Sequence, residues 1–156
     1  MRDLWTEKMI VKIDLIERFY FNLNRTVFVL DSSYLLSNHH LPFDYTTIIP
    51  SMVFEEICGL QKSCKRSTKK RAQSATKKTE KNVAQNNIFS IVEVDDFDEV
   101  KSIFKYVKLN GKDVDGMILS FCIFLQERNS EKQIVLLTHG RQLGKRCTDN
   151  GIKIRI

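Results

Sequence analysis

The sequence predicts an α/β fold, a three-layer sandwich in which helices flank a central, mostly parallel sheet. Strand-like and helix-like segments alternate along the chain, which is the order found in parallel sheets. Residues 134–138 form a continuous apolar run ending in threonine, as expected of a parallel strand buried on both faces. Residues 113–126 carry apolar side chains so densely that their helix is predicted to be surrounded by the rest of the fold.

Length and composition predict one globular domain with a polyanionic partner. At 156 residues and 42% hydrophobic side chains, the chain can bury a full core. It contains no apolar run near the roughly 20 residues that cross a bilayer and no signal-peptide pattern. We therefore expect an intracellular protein of the cytoplasm or nucleus, with no membrane partner. The four cysteines lack zinc-ligand spacing, and the net charge of +6 favours a polyanion.

The N-terminal segment predicts a helix on the flank of the domain. Apolar side chains recur at steps of three and four residues between Trp5 and Leu23, which is the period of an amphipathic helix. We expect this helix to occupy residues 1–24 and the main domain to occupy residues 25–156.

Two strand-to-helix units follow, and each contributes one acidic residue, the first at the end of its strand and the second in its helix. The β-branched and aromatic run at residues 26–30 predicts a strand that ends at Asp31. A second strand at residues 47–49 turns at Pro50 into a helix that carries Glu56.

The rest of the chain predicts a basic insertion and the remaining elements of the sandwich. Residues 62–81 are rich in Lys and Arg with one acid, a composition typical of a solvated helix or loop. Strands are predicted at residues 88–94 and 152–156, and helices at residues 97–107 and 141–148.

Three acidic residues predict a metal site. Asp31 and Glu56 belong to the two units above, and Asp115 lies at the start of the dense apolar helix. Because parallel strands converge at their carboxyl ends, these acids can meet in one pocket. Carboxylate oxygens suit Mg²⁺ or Mn²⁺. Structural alternatives are a helix cap for Asp31, a solvated helix face for Glu56 and a favourable interaction with the helix dipole for Asp115.

Four motifs in this order resemble those of the PIN domain family, whose nuclease fold is related to the flap endonucleases. The resemblance covers the chain from Thr26 to its C-terminus. The motifs are an apolar strand with Asp-Ser-Ser at residues 27–33, Pro-x-x-Val-x-x-Glu at residues 50–56, Asp-x-x-Ile-Leu at residues 115–119, and Leu-Leu-Thr followed by His-Gly-Arg-Gln-Leu at residues 136–143. In its sequence motifs, the chain most resembles the eukaryotic PIN endoribonucleases of messenger-RNA surveillance and nuclear RNA quality control.

The resemblance implies a metal-dependent endoribonuclease acting on single-stranded RNA in RNA decay or quality control. It assigns metal binding and catalysis to Asp31, Glu56 and Asp115. Auxiliary roles fall to Asp113 as a substitute acid, to Thr138 in orienting water and to His139 as a ligand or phosphate contact; for His139, a simple loop position is the alternative. RNA binding is predicted for exposed basic residues, namely Lys62, Lys65, Arg66, Lys69, Lys70, Arg71 and Arg141.

Two departures from the family pattern leave a second function open. His139 and Gly140 stand where the family commonly has acids, and Gly116 stands where a second acid often follows Asp115. The alternative is a catalytically degenerate module that acts as an RNA- or protein-binding scaffold in an RNA decay or ribosome-associated complex. A toxin-like nuclease is a third alternative, which the long basic insertion disfavours.

Overall fold

Six parallel strands form the centre of the structure, a computed structural model that describes residues 9–37, 45–85, 89–94 and 113–155. The strand order in the sheet is β1-β4-β3-β2-β5-β6. The strands are β1 (Ile10–Val11), β2 (Thr26–Leu30), β3 (Thr47–Pro50), β4 (Phe89–Val92), β5 (Gln133–Leu137) and β6 (Lys153–Arg155). The predicted α/β class with its parallel sheet is confirmed.

The helices connect these strands and cover the sheet. Within the described residues they are α1 (Ile13–Phe19), α2 (Ser32–Leu35), α3 (Ser51–Leu60), α4 (Arg66–Gln85), α5 (Val114–Arg128) and α6 (Arg141–Asp149). Among these helices, none is both long enough and apolar enough to cross a membrane.

The strand order creates a switch point between β2 and β5. These strands pair in register from Thr26 opposite Gln133 to Leu30 opposite Leu137. From β2 the chain proceeds to β3 and β4 on one side, then returns to β5 on the other. Ligands of open parallel sheets bind in the crevice at such a point, outside the carboxyl ends of the strands.

The core is continuous through the sheet and α5, as the sequence predicts. Eight consecutive residues of α5, from Ile118 to Leu125, are buried. Cys122 and Cys147 are fully buried in the same core. Burial raises the pKa of the Cys147 thiol to about 12, so this group is protonated and serves as packing.

The N-terminal segment differs from the predicted continuous helix. Ile10 and Val11 form an edge strand on β4 instead, with Ile10 opposite Ile91. Helical spacing alone misassigned them, because pairing with a distant strand decided their conformation. Helix α1 then buries Ile13 and Ile16 in the common core. The domain division at residue 24 stays a prediction.

The basic insertion forms a helix, α4, with a narrow buried face. Its buried residues recur at helical spacing and are all small, namely Ala72, Ala75, Thr76 and Thr79. Gln61, at the end of α3, donates a hydrogen bond of 2.7 Å to the Thr76 hydroxyl. Small side chains allow close packing of α4 on α3 while the lysines face water. The helix predicted at residues 97–107 lies outside the described residues.

Candidate metal centre at the carboxyl edge of the sheet

Asp31 is a buried carboxylate at the switch point. It directly follows β2 and is only 5% exposed. Its extended backbone makes it the N-cap of α2, and its Oδ1 accepts a 3.0 Å hydrogen bond from the backbone N–H of Tyr34. The predicted capping role is therefore real, and the Asp-Ser-Ser sequence produces it locally.

Two hydroxyl groups fix the same carboxylate. Ser33 Oγ lies 2.8 Å from Oδ1 and 3.0 Å from Oδ2 of Asp31, and the Thr138 hydroxyl donates to Oδ2. Each hydroxyl also accepts a backbone N–H, Ser33 from His139 at 3.0 Å and Thr138 from Gly140 at 2.9 Å. The turn after β5 is thus fastened to the end of β2, and Thr138 orients Asp31.

Glu56 lies close enough to the other two acids to respond to their charges. Its pKa is raised by partial burial of the carboxyl group and further by the negative charges of Asp115 and Asp31. A hydrogen bond with Ser32 opposes this shift. Glu56 is exposed, whereas Asp31 is buried. We call the three residues Asp31, Glu56 and Asp115 the acidic pocket, with Asp31 as its base and Glu56 as its rim.

Asp113 and Asp115 occupy the start of α5 but have different surroundings. Asp113 is the N-cap and accepts a 3.0 Å bond from the N–H of Gly116. Its two oxygens also lie 3.0 and 3.1 Å from the guanidinium nitrogens of Arg146, a bidentate pair. This hydrogen bonding raises the pKa of Arg146, and the charge of Asp115 adds to the rise.

The Asp113–Arg146 pair explains why residue 116 is glycine. A Cβ at Gly116 would lie 2.3 Å from Asp113 Oδ2 and 3.0 Å from Arg146 Nη2. The contact with Asp113 is closer than real Cβ atoms show and the one with Arg146 is tight, so any side chain at 116 would displace the bridge. Asp113 fills the space of a second acid at 116, with its charge neutralised by Arg146.

The donor chemistry fits a hard divalent cation, whereas the side-chain positions do not form a closed ligand set. Asp31, Glu56 and Asp115 offer only oxygen atoms, and their mutual repulsion is what a bound cation would relieve. Across the described ranges, however, no three His, Cys, Asp or Glu side chains are grouped closely enough to hold a metal.

His139 packs against Tyr34 beside the buried carboxylate. The ring centroids are 5.4 Å apart and the ring planes differ by 15°. Both residues are half-buried. His139 thus lies in a loop, as the alternative interpretation predicted, and forms an aromatic pair with Tyr34.

The predicted RNA-binding residues are exposed, as binding requires, but lie on separate elements. Lys62 and Lys65 are in the α3–α4 connection, and Arg141 begins α6. The first half of α4 carries Arg66, Lys69, Lys70 and Arg71. Among the described residues, no lysine or arginine contributes to the pKa shift of Glu56. A role for these residues beside the acids stays a prediction.

Sequence reasoning missed the residues that hold the acids in place. Ser32, Ser33 and Arg146 contact Glu56, Asp31 and Asp113 respectively. The two serines could have been found, because hydroxyls after a capping aspartate commonly bond to it. Nothing in the local pattern of α6 singles out Arg146. His39 and His40, which follow Asp31 in the sequence, lie outside the described residues.

Comparison with known proteins gives one family. The sequence model of the PIN domain matches residues 28–155, which is most of the chain and includes Asp31, Glu56 and Asp115. No curated protein matches the chain. PIN domains are typically RNA-directed nucleases and generally use divalent metal ions.

Proposed function

The chain belongs to the PIN domain family, and on that premise we propose that it is a metal-dependent endoribonuclease acting on single-stranded RNA. We place it in RNA decay or quality control, near the eukaryotic enzymes of messenger-RNA surveillance that its motifs resemble. Asp31, Glu56 and Asp115 are the proposed catalytic and metal-binding residues.

One observation carries the proposal. The pKa of Glu56 is raised mainly by partial burial and, in addition, by the charges of Asp115 and Asp31, although the three residues lie on different elements and 84 positions separate the first from the last. A fold that places three carboxylates within range of one another's charges has an electrostatic cost, since like charges repel. A divalent cation among them removes that cost.

The proposed ligands are Asp31, Glu56 and Asp115, with Mg²⁺ or Mn²⁺ as the ion. When bound, this ion supplies Lewis-acid polarisation of a phosphate and a more acidic water. Ser33 and Thr138 keep the carboxylate of Asp31 in one orientation through their hydrogen bonds. Glu56, exposed at the rim, is the acid that an incoming strand reaches first.

Single-stranded RNA is the proposed substrate because the exposed cations are spread over one connection and two helices. Flexible strands can follow such a surface and neutralise its lysines without a sequence-specific fit. Lys62, Lys65, Lys69, Lys70 and Arg141 would then contact phosphates and supply affinity.

Cleavage of a circular single-stranded RNA in Mn²⁺ tests this function, because only an endonuclease cuts a circle. We expect wild-type protein to linearise it and Asp31→Asn to be slower by more than about 100-fold, since even partners one shell further from a metal cost 10- to 100-fold. Asparagine preserves the cap. Asp149→Asn, at an exposed acid, is the matched control. Wild-type protein that leaves the circle intact would refute the proposal.

The second candidate is an RNA- or protein-binding scaffold that does not cleave. It is favoured by His139 and Gly140 in the fourth motif and by the lack of a closed metal-ligand group among the described side chains. Tight RNA binding without Mn²⁺-dependent cleavage would support this scaffold, whereas cleavage abolished by Glu56→Gln would exclude it.

A further inference from the structure

The stacked pair of Tyr34 and His139 is bound to the base of the acidic pocket from two sides. The N–H of Tyr34 donates to Asp31 Oδ1 at 3.0 Å. The N–H of His139 donates to Ser33 Oγ at 3.0 Å, and that hydroxyl contacts Asp31 in turn. These bonds involve backbone nitrogens, so a change of either side chain leaves the backbone links to Asp31 and Ser33 in place.

The stacking geometry leaves part of each ring uncovered by the other. With nearly parallel planes, a contact separation of about 3.5 Å and a centroid distance of 5.4 Å, the rings are offset sideways by about 4 Å. Offset stacking is the preferred arrangement of aromatic pairs. Both residues are half-buried, and the Nε2 atom of the His139 ring is itself buried, so an RNA base would be met mainly by the Tyr34 side of the pair.

We propose that the Tyr34–His139 pair is a stacking platform for an RNA base adjacent to the phosphate at the acidic pocket. The inference rests on the proposed function and adds to it the contact that positions the strand. Base stacking on aromatic side chains tolerates any base, which suits a nuclease without strict sequence preference. The platform would set where the strand is cut relative to a bound base, while the lysines supply affinity.

Binding of RNA decamers that each contain one 2-aminopurine tests the platform in EDTA, where no cleavage occurs. One position along the strand should show quenched fluorescence with wild-type protein. Tyr34→Leu and His139→Leu remove an aromatic face and keep the backbone bonds to Asp31 and Ser33. Each should abolish that quenching and weaken binding by about 5- to 150-fold. Tyr34→Phe and His139→Phe keep the face and should retain the quenching that the leucine variants lose.

An abasic decamer separates stacking from a structural role. An abasic site at the quenched position should weaken wild-type binding as much as Tyr34→Leu does, and the two changes combined should cost no more than either alone. Equal binding by wild type and both leucine variants, or additive losses, would overturn the platform. If the stacking results hold and circular RNA stays intact in Mn²⁺, only the nuclease proposal fails. If the circle is cut but the leucine variants bind normally, only the platform fails.

Discussion

Asp31 shows how one residue combines structure and chemistry. Its backbone ends β2, its Oδ1 caps α2, and its Oδ2 accepts from Thr138. The Tyr34 N–H and the Ser33 and Thr138 hydroxyls use about three of the roughly four lone pairs of the carboxylate, so about one lone pair is left for a cation. Capping and metal binding are compatible here, so they are not competing interpretations.

Gly140 marks a place where a second acid can be added. A Cβ at this position would lie 4.0 Å from Asp31 Oδ2, and its φ of −75° suits any residue. Because residue 140 is also the N-cap of α6, aspartate there is locally favourable. We predict that Gly140→Asp raises Mn²⁺ affinity at least about fivefold, which matches the roughly 1 kcal/mol of two unit charges 4 Å apart in bulk water.

Gly140→Asn is the control for this gain, because it offers the same cap without the charge. Isothermal titration with Mn²⁺ measures both variants. Equal affinities for the aspartate and asparagine variants would show that residue 140 does not face the metal position.

The raised pKa of Glu56 predicts that the stability of the fold depends on pH, in a direction that can be worked out. The pKa of Glu56 is 4.5 in the unfolded chain and is raised in the folded chain. The folded chain therefore holds this proton at higher pH than the unfolded chain does. Stability should therefore fall as pH rises from about 4.5 through the folded-state pKa, and Mn²⁺ should restore it above that range. Thermal melts across this range, with and without Mn²⁺, measure both effects.

Glu56→Gln removes the titrating group and is the matched test. The variant should lose the fall in melting temperature over this pH window and most of the Mn²⁺ stabilisation. A wild-type pH profile in the glutamine variant would mean that Glu56 does not sense the other acids.

At the scale of elements, the start of α5 depends on a glycine that makes room for an ion pair. Gly116→Ala would push Asp113 out of its cap and away from Arg146. We predict a loss of about 1–3 kcal/mol, from a cap worth about 1 and a partly exposed pair worth about 1. Urea unfolding measures it.

In the Asp113→Ala background, we expect Gly116→Ala to stabilise the protein and not to destabilise it. With the carboxylate gone, the close atom that remains is Arg146 Nη2 at 3.0 Å, the end of a flexible side chain that can shift. Alanine at 116 is then the better helix former by up to about 1 kcal/mol. An equal cost of Gly116→Ala in both backgrounds would show that the contact with Asp113 is not the cause.

Helix α4 predicts a salt-dependent contribution to RNA binding. Lys69 and Lys70 are exposed and precede Ala72, the first buried residue of α4, so replacing them leaves the packing on α3 intact. For single strands, each phosphate contact contributes about 0.7 to the slope of log affinity against log salt. Lys69→Gln with Lys70→Gln should reduce the slope by up to about 1.4 in filter-binding titrations.

The matched control uses two exposed cations at the opposite, amino edge of the sheet. Arg25 precedes β2 and Lys153 begins β6. Arg25→Gln with Lys153→Gln removes the same charge and should leave the slope unchanged. Equal effects of the two pairs would indicate that net charge, and not the α4 surface, governs binding.

At the scale of the whole molecule, the predictable features are those encoded by local pattern. The apolar runs of β2 and β5 and the dense apolar sequence of α5 predicted a parallel sheet with a buried helix, and the motif order predicted the family. Features that depend on distant partners were missed. Pairing with β4 made Ile10–Val11 a strand, and Arg146 reaches Asp113 across 33 positions.

The site shows the same division between local and distant information. The sequence places Asp31 at a strand end, Glu56 within a helix and Asp115 at a helix start. Whether the three acids feel one another's charges depends on the packing of α3 and α5 around β2. The stacking of Tyr34 on His139 joins residues 105 positions apart, so no local pattern could predict it.

Mn²⁺ binding followed by electron paramagnetic resonance tests most directly whether the three carboxylates share a cation. We predict that wild-type protein binds Mn²⁺ and that Asp31→Asn, Glu56→Gln and Asp115→Asn each weaken binding by at least about tenfold, because even loss of a residue that only contacts a metal ligand costs about 10- to 100-fold. Asp149→Asn should bind as wild type does. Unchanged Mn²⁺ affinity in all three site variants would contradict a shared metal centre at this edge of the sheet.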